Sequence, residues 1–180
     1  MQANRADVPG AQENSAVADL IDALAARGLT VAVAESLTGG LLIAELIAPA
    51  GASAVINGGV VAYHTELKRS LLGVDAALLS TVGPVHPEVA RQLAMNVRHR
   101  LGIEGRPADV GIATTGVAGP DPVGGIAPGV VFLGLSVGDV TRARELTLHG
   151  SRQQIRAQAV TAALEWLAEA LERGLADSGE

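Results

Sequence analysis

The chain contains no cysteine. Disulfides, thiolate metal sites and a cysteine nucleophile are therefore excluded. Lysine is almost missing too: Lys68 stands alone against twelve arginines. Aromatic residues make up 2% of the chain, one each of Tyr, Trp and Phe, so stacking platforms for bases are nearly absent. The net charge is -6 and the arginines are scattered, which argues against nucleic acid as a partner. The opening stretch "MQANRADVPGAQEN" lacks the apolar core of a signal peptide. Gly, Glu, Asn or Pro breaks every apolar run before membrane-spanning length. These absences imply a soluble, cytoplasmic protein with no membrane partner.

Hydrophobic residues are abundant, at 48%, and most are Ala, Val, Leu and Ile. A chain of 180 residues with that content suits one domain able to bury a core without staples. The polar residues 1–14 are expected to be a disordered tail, 15–174 a single domain, and 175–180 a second tail.

Periodicity predicts helices over Ser15–Gly28, Leu41–Gly51, Thr65–Gly73, His86–Gly102 and Ser151–Gly174. Thr65 is the expected cap of the third, and His86 and Ser151 begin the last two, with Gln154 completing a capping box. Short β-branched runs predict strands over Leu29–Ser36, about Gly59–His64 and Ala108–Gly116. Two more strands turn at Gly138-Asp139. Helices and strands alternate, then a hairpin precedes the last helix, so the fold class expected is α/β, a three-layer α/β/α sandwich with a mixed central sheet.

Ligands of open α/β sheets bind beyond the carboxyl ends of strands. Three segments follow predicted strands: "AESLTGG" (Ala34–Gly40), "AYHTELK" (Ala62–Lys68) and "TTGVAGPDPVGG" (Thr114–Gly125). In the first, Ser36 sits where a strand turns towards a helix. Ser36 or Thr38 serves there either as a helix cap or, for Ser36, as a nucleophile beside free backbone N–H groups. A serine hydroxyl needs a base. None of His64, His86, His99 and His149 lies in a pattern suggesting a triad. Lysine is the other base known for serine, and unlike arginine it loses its proton when desolvated or placed near a cation such as Arg69. Lys68 is thus either that amine, with Tyr63 to steady a proton, or a residue of a solvated helix face. The loop Gly116–Gly125 is either a connector or a phosphate cradle; it lacks the signatures of nucleotide-binding glycine loops. No metal-ligand pattern is present.

Taken together, these segments resemble the CinA C-terminal domain family, the nicotinamide-nucleotide amidases. The family pattern A-E-S-C-T-G-G is similar to "AESLTGG", Y-S-N-x-x-K…L-L-G-V to "YHTELKRSLLGV" (Tyr63–Val74), T-G-I-A-G-P-x-G-G to "TGVAGPDPVGG" (Thr115–Gly125), and G-D-R-x-x-V-R to "GSRQQIR" (Gly150–Arg156). Order and spacing agree from about residue 15 to 173. The resemblance implies an α/β/α sandwich that hydrolyses the carboxamide of nicotinamide mononucleotide to nicotinate mononucleotide and ammonia, without metal or cofactor. It implies Ser36 as nucleophile, Lys68 as base and Tyr63 as its helper. Backbone N–H groups near Leu37–Gly40 would hold the oxyanion, Thr38, Gly39, Gly40, Thr115 and Gly116 would line the substrate site, and Arg152 and Arg156, or the glycine loop, would hold the phosphate. The stand-alone form of the family and a homodimer or higher homo-oligomer are expected. The departures are Leu37 for Cys, Thr65 for Asn, His86 for Ser, Ser151 for Asp, and "APGVV" for K-P-V-G after the glycine loop. They bear on substrate grip more than on the nucleophile.

Overall fold

A computed structural model describes residues 11–174. In chain order the elements are helix α1 (Ala11–Ala26), strand β1 (Val31–Glu35), helix α2 (Leu41–Ile47), a 3-10 turn (Ala52–Ala54), strand β2 (Ile56–Val61) and helices α3 (Thr65–Ser70), α4 (Ala76–Val82) and α5 (Pro87–Arg100). Strands β3 (Val110–Gly116), β4 (Val130–Val137) and β5 (Val140–Thr147) and helix α6 (Arg152–Glu172) follow. The sheet runs β2-β1-β3-β4-β5. Strands β1, β2 and β3 are mutually parallel, and β4 and β5 are antiparallel to their neighbours. The chain is a mixed-sheet α/β/α sandwich.

Alternation within β1 shows why there are three layers. Successive side chains of a strand point to opposite faces. Val31 and Val33 join Leu20, Ile21 and Leu24 of α1, Leu42 and Leu46 of α2, and the buried face of α6. Ala32 and Ala34 join Val89, Leu93, Ala94 and Val97 of α5 on the other side. A strand covered on both faces has no polar alternation, and all five residues of β1 are buried. Helix α5 lies very close to the sheet. A Cβ at Gly111 would sit 1.9 Å from the carbonyl oxygen of Ala94, and one at Gly134 would sit 2.0 Å from that of Ala90. The two glycines are the floor on which the helix backbone rests.

Local chemistry sets the element ends. Helix α1 closes in a Schellman motif: Leu29 N–H donates to Leu24 O and Gly28 N–H to Ala25 O, with Gly28 at φ 64. The Ser151–Gln154 capping box starts α6, and the β4–β5 hairpin turns at Gly138-Asp139.

Several boundaries differ from the sequence reading, among them the end of α3 at Ser70, short of the expected Gly73. Helix α1 begins at Ala11, inside the stretch 1–14 expected to be tail; residues 1–10 and 175–180 lie outside the described residues. Helix α2 stops at Ile47: Ala48 still has right-handed helical angles (φ -65, ψ -39), but Pro49 has no N–H with which to extend the ladder. Strand β2 is Ile56–Val61, not Gly59–His64. Its ends are fixed by pairing from Val31↔Ile56 to Glu35↔Val61, and that ladder admits Asn57, Gly58 and Gly59, which read locally as a turn. His64, not Thr65, caps α3, its imidazole accepting from Glu66 N–H.

Candidate active site

The three parallel strands end at one edge of the sheet. The strand order reverses at β1, which has β2 on one side and β3 on the other. A crevice opens at such a point. Ser36 follows β1, Tyr63 and Lys68 follow β2, and Thr115 and Gly116 end β3. Together with Arg152 from the first turn of α6, these six line one cavity of about 250 Å³. The segments picked out in the sequence converge there.

Lys68 is the largest fully buried side chain, 1% exposed. Its Nζ donates to Ala62 O at 2.7 Å and lies 3.0 Å from Ser36 Oγ. No carboxylate pairs with it among the described residues. Burial alone pulls its pKa down from 10.5 to about 8. About one molecule in ten therefore carries a neutral amine at pH 7. A neutral amine has two N–H groups and a lone pair, so it can donate to Ala62 O and still accept the serine proton. Ser36 is buried, and its N–H reaches Thr114 Oγ1, which also bonds Thr38 Oγ1. A desolvated lysine in hydrogen-bond contact with a serine hydroxyl is equipped for nucleophilic catalysis.

The expected contribution of Arg69 to that pKa is absent. Arg69 is exposed and paired with Glu66, and charge from Arg69 is not among the causes of the shift.

The turn after Ser36 is held from below. Glu35 is a buried carboxylate that accepts from the N–H groups of Gly40 (2.9 Å), Leu42 (3.2 Å) and Ile43 (2.9 Å). It, rather than Ser36 or Thr38, caps α2. The chain reverses through Gly39 (φ 60) and Gly40 (φ 96), both in the left-handed region. Gly39 N–H donates to Ser36 O. Two of the backbone donors expected for an oxyanion, Gly39 and Gly40, are thus already engaged. Leu37 and Thr38 keep N–H groups with no acceptor among the described residues.

The remaining expected residues divide. Thr38, Gly39, Gly40 and Arg156 are not in the cavity wall. Arg156 instead donates from Nε to Leu37 O (2.9 Å) and from Nη2 to Thr38 O (2.8 Å). Arg152 is in the wall, donating to Gly119 O (2.7 Å) and to the Tyr63 hydroxyl (3.0 Å). Tyr63 is 60% exposed and is bonded to Arg152, not to Lys68. Thr115 Oγ1 donates to Pro84 O, which fixes the wall of the cavity below α5. Asp121 and Thr65 also line the cavity.

Sequence reasoning missed Glu35 and Asp121 as parts of this region. A lone acid closing an otherwise apolar strand was the available signal for Glu35. Among the described residues, no group of three or more His, Asp or Glu side chains could hold a metal ion, and no helix is long and apolar enough to cross a membrane.

The chain was compared with known proteins. The family model of the CinA C-terminal domain matches residues 13–171. A CinA-like protein of Frankia casuarinae is 44% identical over 160 residues, 89% of this chain and 36% of its own length. A Bacillus cereus protein named as competence-damage inducible is 50% identical over 137 residues, 76% of this chain and 32% of its own. The chain therefore spans about a third of the length of these curated relatives. Among solved structures, a competence-damaged protein (CinA) superfamily protein from Klebsiella pneumoniae superposes with a TM-score of 0.83 at 30% identity, covering 89% of this chain and 98% of that one. The competence/damage inducible protein CihA from Agrobacterium tumefaciens gives 0.81 at 32% identity, covering 96% and 99%. The family model reaches from α1 into the last turns of α6 and takes in every residue that lines the cavity, so this chain belongs to the CinA C-terminal domain family.

Proposed function

We propose that the chain is an amidohydrolase that deamidates nicotinamide mononucleotide by a Ser-Lys mechanism. The observation that carries this reading is the buried Lys68 Nζ, 3.0 Å from Ser36 Oγ at the mouth of the crevice. Ser36 Oγ attacks the carboxamide carbon and Lys68 takes its proton. The carbonyl oxygen becomes an oxyanion, held by backbone N–H groups of the turn, for which Leu37 and Thr38 have donors to spare. Each such donor is worth about 3 kcal/mol in systems where one has been removed. The Lys68 ammonium then protonates the leaving nitrogen and ammonia departs, leaving an acyl ester on Ser36. Water, deprotonated by the same amine, cleaves that ester and releases the nicotinate nucleotide.

The phosphate is assigned to Arg152, the one arginine lining the cavity. Tyr63 steadies that guanidinium through its hydroxyl. A homo-oligomer belongs to the same proposal, and light scattering tests it.

Ammonia release from nicotinamide mononucleotide tests the activity directly. The wild-type chain is expected to release it, and Ser36→Ala and Lys68→Arg to be inactive with circular dichroism unchanged. Arginine keeps the charge but not the basicity. Substantial turnover by Lys68→Arg would refute the base. Saturable nucleotide binding without ammonia release would make the chain a pyridine-nucleotide-binding protein instead.

A further inference from the structure

Arg156 belongs to a motif the sequence reading assigned to the phosphate. The structure gives it other work. Its guanidinium reaches from α6 to the back of the nucleophile turn, and both bonded donors meet main-chain carbonyls, Leu37 O and Thr38 O. It is outside the cavity wall, where Arg152 stands.

Those two bonds have a geometric consequence. A peptide unit is planar, so fixing its carbonyl fixes the direction of the N–H on its other side. Three peptide units follow Ser36 in sequence. The first is held by Gly39 N–H bonding to Ser36 O. The second and third are held by Arg156 through the oxygens of Leu37 and Thr38. The N–H groups of Leu37 and Thr38 belong to the first and second of these units. They are the two amides of the turn left without an acceptor among the described residues. A cation on the carbonyl of Leu37 also polarises that peptide and makes the Thr38 N–H a stronger donor. The turn leaves little slack for another arrangement: a Cβ at Gly39 would lie 3.2 Å from Arg156 Nη2.

We infer that Arg156 is a positioning residue, a clamp that locks the peptide planes behind Ser36 and thereby aims the backbone donors that receive the oxyanion, rather than a ligand of the nucleotide phosphate. The inference rests on the amidohydrolase reading for its kinetic test, but not for its chemical one.

The discriminating variant is Arg156→Lys, which keeps the charge but offers no planar fork to bridge two carbonyls. Steady-state ammonia release from nicotinamide mononucleotide is expected to show kcat lowered by about 10- to 100-fold with KM within about twofold, because small misplacement of a catalytic group acts on the chemical step. A phosphate ligand would show the converse, with KM raised about tenfold or more at nearly unchanged kcat, and that result would overturn the clamp.

The second readout needs no substrate turnover. A fluorophosphonate probe phosphonylates serine: Ser36 Oγ bonds to phosphorus, fluoride leaves, and Lys68 takes the serine proton. The developing negative oxygen on phosphorus uses the same donors. The labelling rate of Ser36, read by mass spectrometry, is expected to fall at least tenfold in Arg156→Lys while the thermal transition stays cooperative. If the wild type releases no ammonia but labels, the amidase reading fails and the clamp is judged on labelling alone. A labelling rate equal to wild type overturns it. Should Arg156→Lys not fold, Arg156→Gln removes the two-carbonyl fork while leaving the glycine turn itself unchanged. Lowered kcat and labelling at unchanged KM support the clamp, and wild-type kcat and labelling overturn it.

Discussion

Consider Lys68→Met and the alkaline stability of the fold. Raising pH above neutrality normally titrates many groups at once. Here cysteine is absent and the twelve arginines keep their charge, so Lys68, Tyr63 and the amino terminus are the only groups of their classes. The folded pKa of Lys68, about 8, lies below the ordinary 10.5, so between those values the unfolded chain holds a proton that the folded chain has released. Stability therefore rises with pH across that window, and below about pH 8 the full penalty of burying an ammonium is present. The gap between the two values corresponds to a penalty of about 3 kcal/mol. At 1% exposure, solvent screens little of it. Between pH 7 and pH 10 most of the penalty, roughly 2 to 3 kcal/mol, should disappear.

Methionine matches the length of lysine without its charge, and the difference between the two proteins removes the contributions of every other group. Urea unfolding followed by circular dichroism at pH 7, 8, 9 and 10 gives the curves. The wild type should gain roughly 2 to 3 kcal/mol relative to Lys68→Met between the extremes, most of it above pH 8. Parallel curves, agreeing within about 0.5 kcal/mol, would mean that folding does not neutralise this lysine, and the assignment of a neutral amine beside Ser36 would fall.

Other measurements probe the same region. If Lys68 is the base, kcat/KM should rise about tenfold per pH unit below pH 8 and level off above it, following the neutral fraction of the amine; a flat profile from pH 6 to 9 would exclude that role. Glu35→Gln replaces an acceptor-only group facing three amides with one that presents donors to them, and should lower stability by about 2 kcal/mol and reduce the Ser36 labelling rate. Gly134→Ala puts a methyl where the Ala90 carbonyl oxygen now sits and must lift α5 from the sheet; a loss of about 3 kcal/mol in urea unfolding is expected, and a loss below about 0.5 would show that the helix yields freely.

The layered fold was legible because helices that cover both faces of β1 leave it apolar up to its last residue, Glu35, while α1 and α5 show the 3.6-residue period of one buried side. Strand β2 was misplaced for the reason that it is a strand at all: its position comes from pairing with β1, and the local sequence Asn57-Gly58-Gly59 carries no sign of that partner. The site divides the same way. Contact between residues 32 apart, Ser36 and Lys68, was one of two readings that chemistry left open, since a serine hydroxyl needs a base and only one amine side chain exists, and the family resemblance chose between them. Which face of a motif looks into the cavity did not follow. Arg152 and Arg156 are four residues apart on one helix, so they lie near each other, yet one meets the cavity and the other the back of the turn. What each meets is set by the neighbours that the fold brings to α6, Gly119 and Tyr63 for one and the turn after Ser36 for the other, which have no local signature.

The arrangement accounts for the lone lysine in thermodynamic terms. At surface positions an arginine serves as well as a lysine or better, since its fork pairs with carboxylates as Arg69 does with Glu66 and Arg144 with Glu169. At position 68 the requirement is reversed. Lys68 is buried and no carboxylate pairs with it among the described residues, so a permanent cation there would bear the desolvation penalty at every pH, whereas an amine escapes it above about pH 8 by releasing its proton. The release that relieves the fold also exposes a lone pair to Ser36. Stability and basicity are thus two readings of one equilibrium. A substitution that adds a carboxylate to the cavity wall that Lys68 shares, such as Thr65→Asp, should raise the lysine pKa, flatten the alkaline rise in stability and lower turnover at pH 7 together. Separation of those three effects would show that the buried amine is a structural accident and not the source of the nucleophile.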